Sequence, residues 1–330
     1  MYNMVKYNNK RKMEGGYNMA RRELIEEIIS NIGKVIIGKR DVIEKVMIGM
    51  LCNGHILIED TPGVGKTMLV KAISKSFGLE FNRVQFTPDL LPSDITGISI
   101  YNQKTREFEF RKGPIFTNLL LGDEINRTSP KTQAALLEAM EEKQVSEGGK
   151  TYELNEPFLV IATQNPIDNE GTYRLPEAQL DRFIMKISMG YPSQEYEVQV
   201  LKDYKERNPI EEIGVVCSVD KLINMQQMVK KIKVKDEIFE YIVRIVSNSR
   251  SDEAVIMGAS TRAALYLMKI ASANAFMEGR DYVITDDVKK HVYEVLSHRI
   301  LISPSAKANG LTAKMVIKKI LDKTVAPKII

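Results

Sequence analysis

The feature that most constrains this chain is a set of five short, nearly all-apolar segments in its first two thirds. They are HILIE (His55–Glu59), FNRVQF (Phe81–Phe86), NLLLGDE (Asn118–Glu124), FLVIAT (Phe158–Thr163) and FIMKISMG (Phe183–Gly190), separated by longer helical patterns. A strand that is apolar on both faces must be covered on both faces. Helices flanking a parallel sheet provide that cover. Residues 21–191 are therefore expected to form an α/β core with a parallel five-stranded sheet. After Tyr191-Pro192 the strand signals stop. The segments EYEVQVLKDYKER, DEIFEYIVRIVSNSR, TRAALYLMKIASANAFMEG and DDVKKHVYEVLSHRI predict an all-α domain over residues 192–330. Ser260 and Thr285 read as helix N-caps, and Gly279 closes the helix between them.

Composition removes several function classes. The chain has 47 basic and 43 acidic residues and a formal charge of +4, which suits a solvated surface better than a nucleic-acid footprint. Two cysteines, Cys52 and Cys217, exclude a disulfide framework and a multi-cysteine zinc site, and fit a reducing interior. His55, His291 and His298 show no ligand spacing and read as structural. No apolar run approaches the ~18–20 residues that span a bilayer. The opening MYNMVKYNNKRKMEGGYNMARR is charged but lacks the apolar stretch of a secretory signal. Residues 1–20 are expected to be a flexible tail, and the protein cytoplasmic without membrane insertion.

The stretch ILIEDTPGVGKTMLV, Ile56 to Val70, carries the chemistry. It fits G-x-x-x-x-G-K-[ST] except that Asp60 stands at the first glycine. The loop follows a strand and opens a helix, so Pro62, Gly63, Val64, Gly65, Lys66, Thr67 and Met68 are the predicted nucleotide-binding run. Gly63 and Gly65 let backbone N–H groups converge on phosphate, aided by the helix N-terminus. Lys66 is placed for the β- and γ-phosphates and Thr67 for Mg²⁺. Asp60 lies at the strand end, and is tolerable if its side chain points away from the phosphates.

A second apolar strand ends in Asp123-Glu124, suited to hold Mg²⁺ and to polarise an attacking water respectively. Asn165 follows a third strand and would sit beside the γ-phosphate if that strand lies between the other two. LPEAQLDRF sets Arg182 before the last strand, and GASTRAALYL sets Arg262 in the first turn of a helix in the second domain. Gly97–Gly113 and Gln144–Leu154 alternate apolar and polar residues around turns, as hairpins do.

The combination EDTPGVGKT, LLLGDEINRTSPKTQAALLEAMEEKQVS, FLVIATQNPIDNEGTYRLPEAQLDRF, GASTRAALYL and GRDYVITDDV resembles the MoxR family of AAA+ ATPases, from about Glu23 to Pro327. An Asp at the first loop position is common in that family, and Arg174 and Thr261 depart from it where proline is expected. The resemblance implies a P-loop AAA+ αβα core followed by a helical lid, ATP and Mg²⁺ bound between them, and a homo-oligomeric, hexameric ring. It implies that Ile37 and Gly38 lie against the adenine and that Asp123 and Glu124 are the Walker B pair. Asn165 is then sensor 1, Arg182 an arginine finger acting on a neighbour, and Arg262 sensor 2, in its own subunit or across the interface. The hairpins match the helix-2 insert and the pre-sensor 1 hairpin, which face the pore in related rings. Loss of the γ-phosphate is then expected to release both arginines and let lid and core rotate.

The implied function is a chaperone-like remodeller that hydrolyses ATP to mature a client protein, with a von Willebrand factor A-domain partner. The alternatives are a metal-chelatase-like motor subunit and a nucleic-acid translocase. The tip Glu147-Gly148-Gly149-Lys150, without a basic-aromatic cluster, argues against the translocase.

Overall fold

The structure, a computed structural model, describes residues 19–166 and 173–327. The expected tail falls on residues 1–18, outside the described part, except that residues 19 and 20 already belong to the first helix. That helix, α1 (residues 19–33), is followed by α2 (Arg40–Leu51), β1 (Ile56–Glu59), α3 (Lys66–Phe77) and β2 (Phe81–Gln85). Next come α4 (Pro92–Thr96), β3 (Gly97–Asn102), β4 (Glu107–Lys112), β5 (Leu119–Asp123) and α5 (Pro130–Glu142). The core closes with β6 (Gln144–Glu147), β7 (Lys150–Glu153), β8 (Leu159–Gln164), α6 (Glu177–Leu180) and β9 (Met185–Ile187).

All five expected sheet strands form, in the order β2-β5-β8-β1-β9, and every pairing is parallel. Side chains alternate between faces along a strand, and in β1, β5 and β8 both sets are apolar. Ile56, Ile58, Leu119, Leu121, Leu159 and Ile161 enter one core cluster. Leu57, Leu120, Val160 and Ala162 enter the other. Helices α1 to α3 pack on the first face; α5 and the hairpins β3–β4 and β6–β7 cover the second. The hairpins touch each other, with the Phe110 and Tyr152 rings stacked at 4.1 Å.

The second part contains α7 (Gln194–Glu206), α8 (Pro209–Glu212), α9 (Val219–Val229), α10 (Asp236–Arg250), β10 (Val255–Met257) and α11 (Thr261–Met277). It ends with α12 (Thr285–Lys290), α13 (Val292–Leu296), β11 (Leu301–Ile302), α14 (Pro304–Ala308) and α15 (Ala313–Lys323). It is helical as expected, with a small antiparallel ribbon, β10–β11, that sequence reading did not place. Three residues paired with two are too short for a period-2 signal. Ser260 caps α11, accepting from the Ala263 N–H, and Gly279 follows it with φ +76°. Thr285 is instead the first residue of α12, with Ile284 at the cap position, and the Asp287 carboxylate accepts the Ile284 N–H.

The helical part does not stand apart. Its Leu222, Ile245, Leu267, Ile270, Val292 and Ile317 belong to the same apolar cluster as Ile56 and Ile73 of the core. Arg299, 4% exposed, fastens the junction. Its Nε donates to Asp181 Oδ1 at 2.6 Å, its Nη2 donates to the Asp181 carbonyl at 3.0 Å, and its guanidinium lies 4.9 Å from the centre of the Tyr266 ring. Burial lowers its pKa from the usual value, opposed by the Asp181 carboxylate.

His55 joins β1 to β8 and α5. The Val160 N–H donates to its Nδ1 at 3.0 Å, so the proton sits on Nε2, which donates to the Met140 carbonyl at 3.0 Å. Burial pushes its pKa down to about 4, and does the same to His291.

Two outcomes are expected. Arg299→Ala strands buried carbonyls and Asp181, and should cost about 3–5 kcal/mol in urea unfolding. The neutral histidines contribute stability that is whole above their unfolded pKa of about 6.5. It is lost as pH falls from there through their folded value of about 4. The urea midpoint should therefore fall between pH 7 and pH 4.5, and less steeply in His55→Gln.

Candidate nucleotide site

Parallel pairing brings the C-terminal ends of β1, β8 and β5 side by side, with β8 in the middle. The loop therefore leaves β1 next to Asn165, and Asn165 next to Asp123-Glu124, which is the condition the sequence reading set for it. Ligands of parallel α/β sheets bind at such an edge.

In the loop, Gly63 and Gly65 take φ of +86° and +92°, the left-handed region where a Cβ is strained. A Cβ built at either would meet nothing within 4 Å, so the two glycines border an open hollow. Lys66 Nζ donates to the carbonyls of Asp60 at 2.8 Å and Thr61 at 3.2 Å, across that loop. Thr67 is in the first turn of α3. Asp60 does point away, and it also does what sequence reading missed. Buried to 8% exposure, its carboxylate accepts from Ser188 Oγ at 3.1 Å and from the N–H groups of Met189 and Gly190. It ties the end of β1 to the chain leaving β9.

Beside the loop lies a cavity of about 700 Å³. Val35, Ile36 and Ile37 form one wall, Gly63, Val64, Gly65 and Met68 another, and Leu201 and Tyr204 of α7 a third. The wall is apolar where a flat base would lie and polar where phosphates would. Gly38 does not line it. Instead Gly38, at φ +72°, carries the ring of Tyr196, 2.2 Å from where a Cβ would be. The base is thus expected against Ile37, with Gly38 seating the connector helix.

The acidic pair is held by residues the sequence reading passed over. Thr163 Oγ donates to Asp123 Oδ1 at 2.6 Å and accepts the Glu124 N–H at 2.9 Å. Arg83 Nη2 meets Asp123 Oδ2 at 2.7 Å. Glu124, at φ +58°, accepts from Gln85 Nε2 at 2.9 Å and pairs with Arg127 at 3.2 Å. Arg83 and Gln85 recur at spacing two on β2, a polar stripe beside an acidic strand end that could have marked them.

Among the described residues no trio of His, Cys, Asp or Glu could cage a metal. Magnesium takes one or two protein oxygens and fills its octahedron with water and phosphate. Asp123 and Thr67 fit such a partial set.

Arg182 and Arg262 meet, but elsewhere. Arg182 Nε lies 2.9 Å from Glu141 Oε2 and Arg262 Nη2 lies 2.7 Å from Glu141 Oε1. Met185 pairs with Ile56, so Arg182 sits before the start of β1, at the opposite end from the loop.

Both parts of the chain match known protein families. The ATPase family associated with various cellular activities (AAA) matches residues 55–185, and the AAA lid domain matches residues 247–320. Chaperone MoxR1 of Mycobacterium tuberculosis is 40% identical over 314 residues, 92% of this chain and 83% of that one. The chain belongs to the MoxR family of AAA+ ATPases.

The chain is also similar to the uncharacterized protein YeaC of Bacillus subtilis, 49% identical over 92% of this chain and 95% of that one. A solved structure from Cytophaga hutchinsonii, assigned as a candidate ATPase, superposes with a TM-score of 0.90 at 41% identity. It covers 97% of this chain and 99% of that one. The chain is thus a chaperone-like AAA+ ATPase by family, with the α/β core and helical lid of that family. Among the described residues no helix is long and apolar enough to cross a membrane.

Asp60→Ala should cost about 2–4 kcal/mol in urea unfolding, since it leaves buried N–H donors unpaired. Asp60→Asn, which keeps one acceptor, should cost less.

Proposed function

We propose that this MoxR-family chain binds ATP with Mg²⁺ at the loop, hydrolyses it within a homo-oligomeric ring, hexameric by family resemblance, and uses the turnover to remodel a client protein. The observation that carries the ring is the place of Arg182 and Arg262. From their end of β1 to the loop is about 20 Å at the rise of a strand, beyond the reach of a side chain. An arginine that cannot touch its own subunit's triphosphate can serve a neighbour's. Both arginines therefore act in trans.

The chemistry follows from the edge of the sheet. Backbone N–H groups at Gly63 to Lys66 cradle phosphate, and Lys66 exchanges its carbonyl partners for β- and γ-oxygens. Magnesium, held by Thr67 and Asp123, would neutralise charge between those phosphates. Glu124 and Asn165 align the attacking water in line with the γ-phosphoryl group. In the resting chain Gln85 and Arg127 hold the Glu124 carboxylate, so it must leave them to reach that water. The charge developing on the transferred group lies over its outer oxygens, where a neighbour's arginines contribute about 10³–10⁵ in rate in other phosphoryl-transfer enzymes.

Clients are engaged by the two hairpins, with Tyr101 and Phe108 exposed on the first. A von Willebrand factor A-domain protein is the proposed partner, on the family resemblance. The free Cys52 and Cys217 suit a reducing, cytoplasmic setting.

Three variants test this reading. Lys66→Ala should lose ATP binding in calorimetry by about 100-fold or more, the worth of a charge-assisted phosphate contact. Glu124→Gln should still bind ATP and sediment as a ring while turnover falls to background. Arg182→Ala should bind ATP normally yet hydrolyse poorly, with part of the rate restored by mixing in Lys66→Ala subunits. Full-speed hydrolysis by dilute monomers would sink the trans assignment. Captured with ATP on Glu124→Gln, an A-domain protein would support the proposed partner.

A further inference from the structure

We infer that Glu141 is a positioning residue for hydrolysis: its single carboxylate holds the guanidinium groups of Arg182 and Arg262 together as one anion-binding unit for the neighbour's triphosphate. This deepens the trans-arginine reading above and rests on it.

Two guanidinium groups repel each other, and a pair set side by side splays apart unless a negative charge lies between them. Glu141 supplies that charge with one oxygen for each: Oε2 faces Arg182 Nε at 2.9 Å and Oε1 faces Arg262 Nη2 at 2.7 Å. One contact uses a single nitrogen of Arg182 and the other a single nitrogen of Arg262. Both side chains stay partly exposed, at 30% and 41%, and line one pocket with Glu141, as a site for a phosphoryl group with charge over several oxygens requires.

The backbone beneath each of the three side chains is fastened by its neighbours. Asp181, next to Arg182, accepts Arg299 Nε on Oδ1 and Ser260 Oγ on Oδ2 at 3.2 Å. Ser260 in turn caps the helix whose second residue is Arg262. Met140, next to Glu141, receives the Nε2 proton of buried His55. Three separate elements, α5, the chain before β9 and α11, are thus locked at one corner, and their charged tips meet at Glu141.

Helix stability does not account for a carboxylate there. Glu141 and Glu142 occupy the last turn of α5, and the C-terminal end of a helix disfavours negative charge. The two arginines reverse that penalty at Glu141. Glu142, adjacent on the same turn, has no such pair among the described residues, so it is a natural control.

The test is steady-state ATP hydrolysis by the assembled full-length chain, with ring formation followed by sedimentation and folding by urea unfolding. Glu141→Gln keeps the shape and removes the charge. It should lower kcat about 10-fold or more, as expected for losing a charge-assisted hydrogen bond in the transition state, with KM for ATP and ring size unchanged. Glu141→Asp should recover part of the rate, and Glu142→Gln should retain all of it. In the Arg182→Ala, Arg262→Ala background, Glu141→Gln should have no further effect, because it acts through those side chains. A native rate in Glu141→Gln, with the arginine variants impaired, would overturn the inference alone. A further loss on top of the double arginine variant, or a loss tracking lower stability, would overturn it as well. Native rates in the arginine variants would instead remove the trans reading, and the inference with it.

Discussion

The structure depends on one strand, β8, lying between β1 and β5 and parallel to both. That placement sets a phosphate loop, a polar Asn165 and an acidic pair on three adjacent strand ends, although they span about 100 residues of the chain. It also supplies Thr163, whose hydroxyl joins Asp123 to the Glu124 backbone. Burial of β8 on both faces is what holds this geometry. A one-residue shift would send every side chain of a strand to the opposite face.

The helical lid is built onto the core rather than hung over it. Its helices share the apolar cluster of α1 to α3, and Arg299 anchors the chain entering β9. Rotation of the lid against its own core, expected from the resemblance, would have to open that shared interior. What overlies the candidate nucleotide cavity is instead α7, which has no buried residue. Helices with few buried contacts are drawn from the low-stability end of a fold. The lid carries Arg262 beside Arg182, both paired to Glu141.

Much of the site was legible because its signals are local. Gly63, Gly65, Lys66 and Thr67 are contiguous, and their strand–loop–helix context is written in the flanking residues. Asp123, Glu124 and Asn165 each follow an apolar run that predicts a strand end. The residues that orient them were not legible. Arg83 and Gln85 act from a neighbouring strand, Asp60 acts on residues 128 to 130 positions away, and Glu141 meets partners on two other elements. No spacing rule connects such positions, since they are neighbours only after the strands have paired and the helices packed. Thr285 shows the same limit on a smaller scale: cap preference is a residue property, but the helix starts at Thr285 itself, with the Asp287 carboxylate reaching back to the Ile284 N–H.

The sequence by itself determined that there would be a parallel sheet, a phosphate loop and a helical second part, because burial patterns and glycine-dependent turns are properties of short segments. Tertiary structure alone decided that Arg182 and Arg262 stand together at the far end of the sheet from their own loop. Strand order and lid docking are set by packing between distant segments, and those contacts have no image in the spacing of residues along the chain.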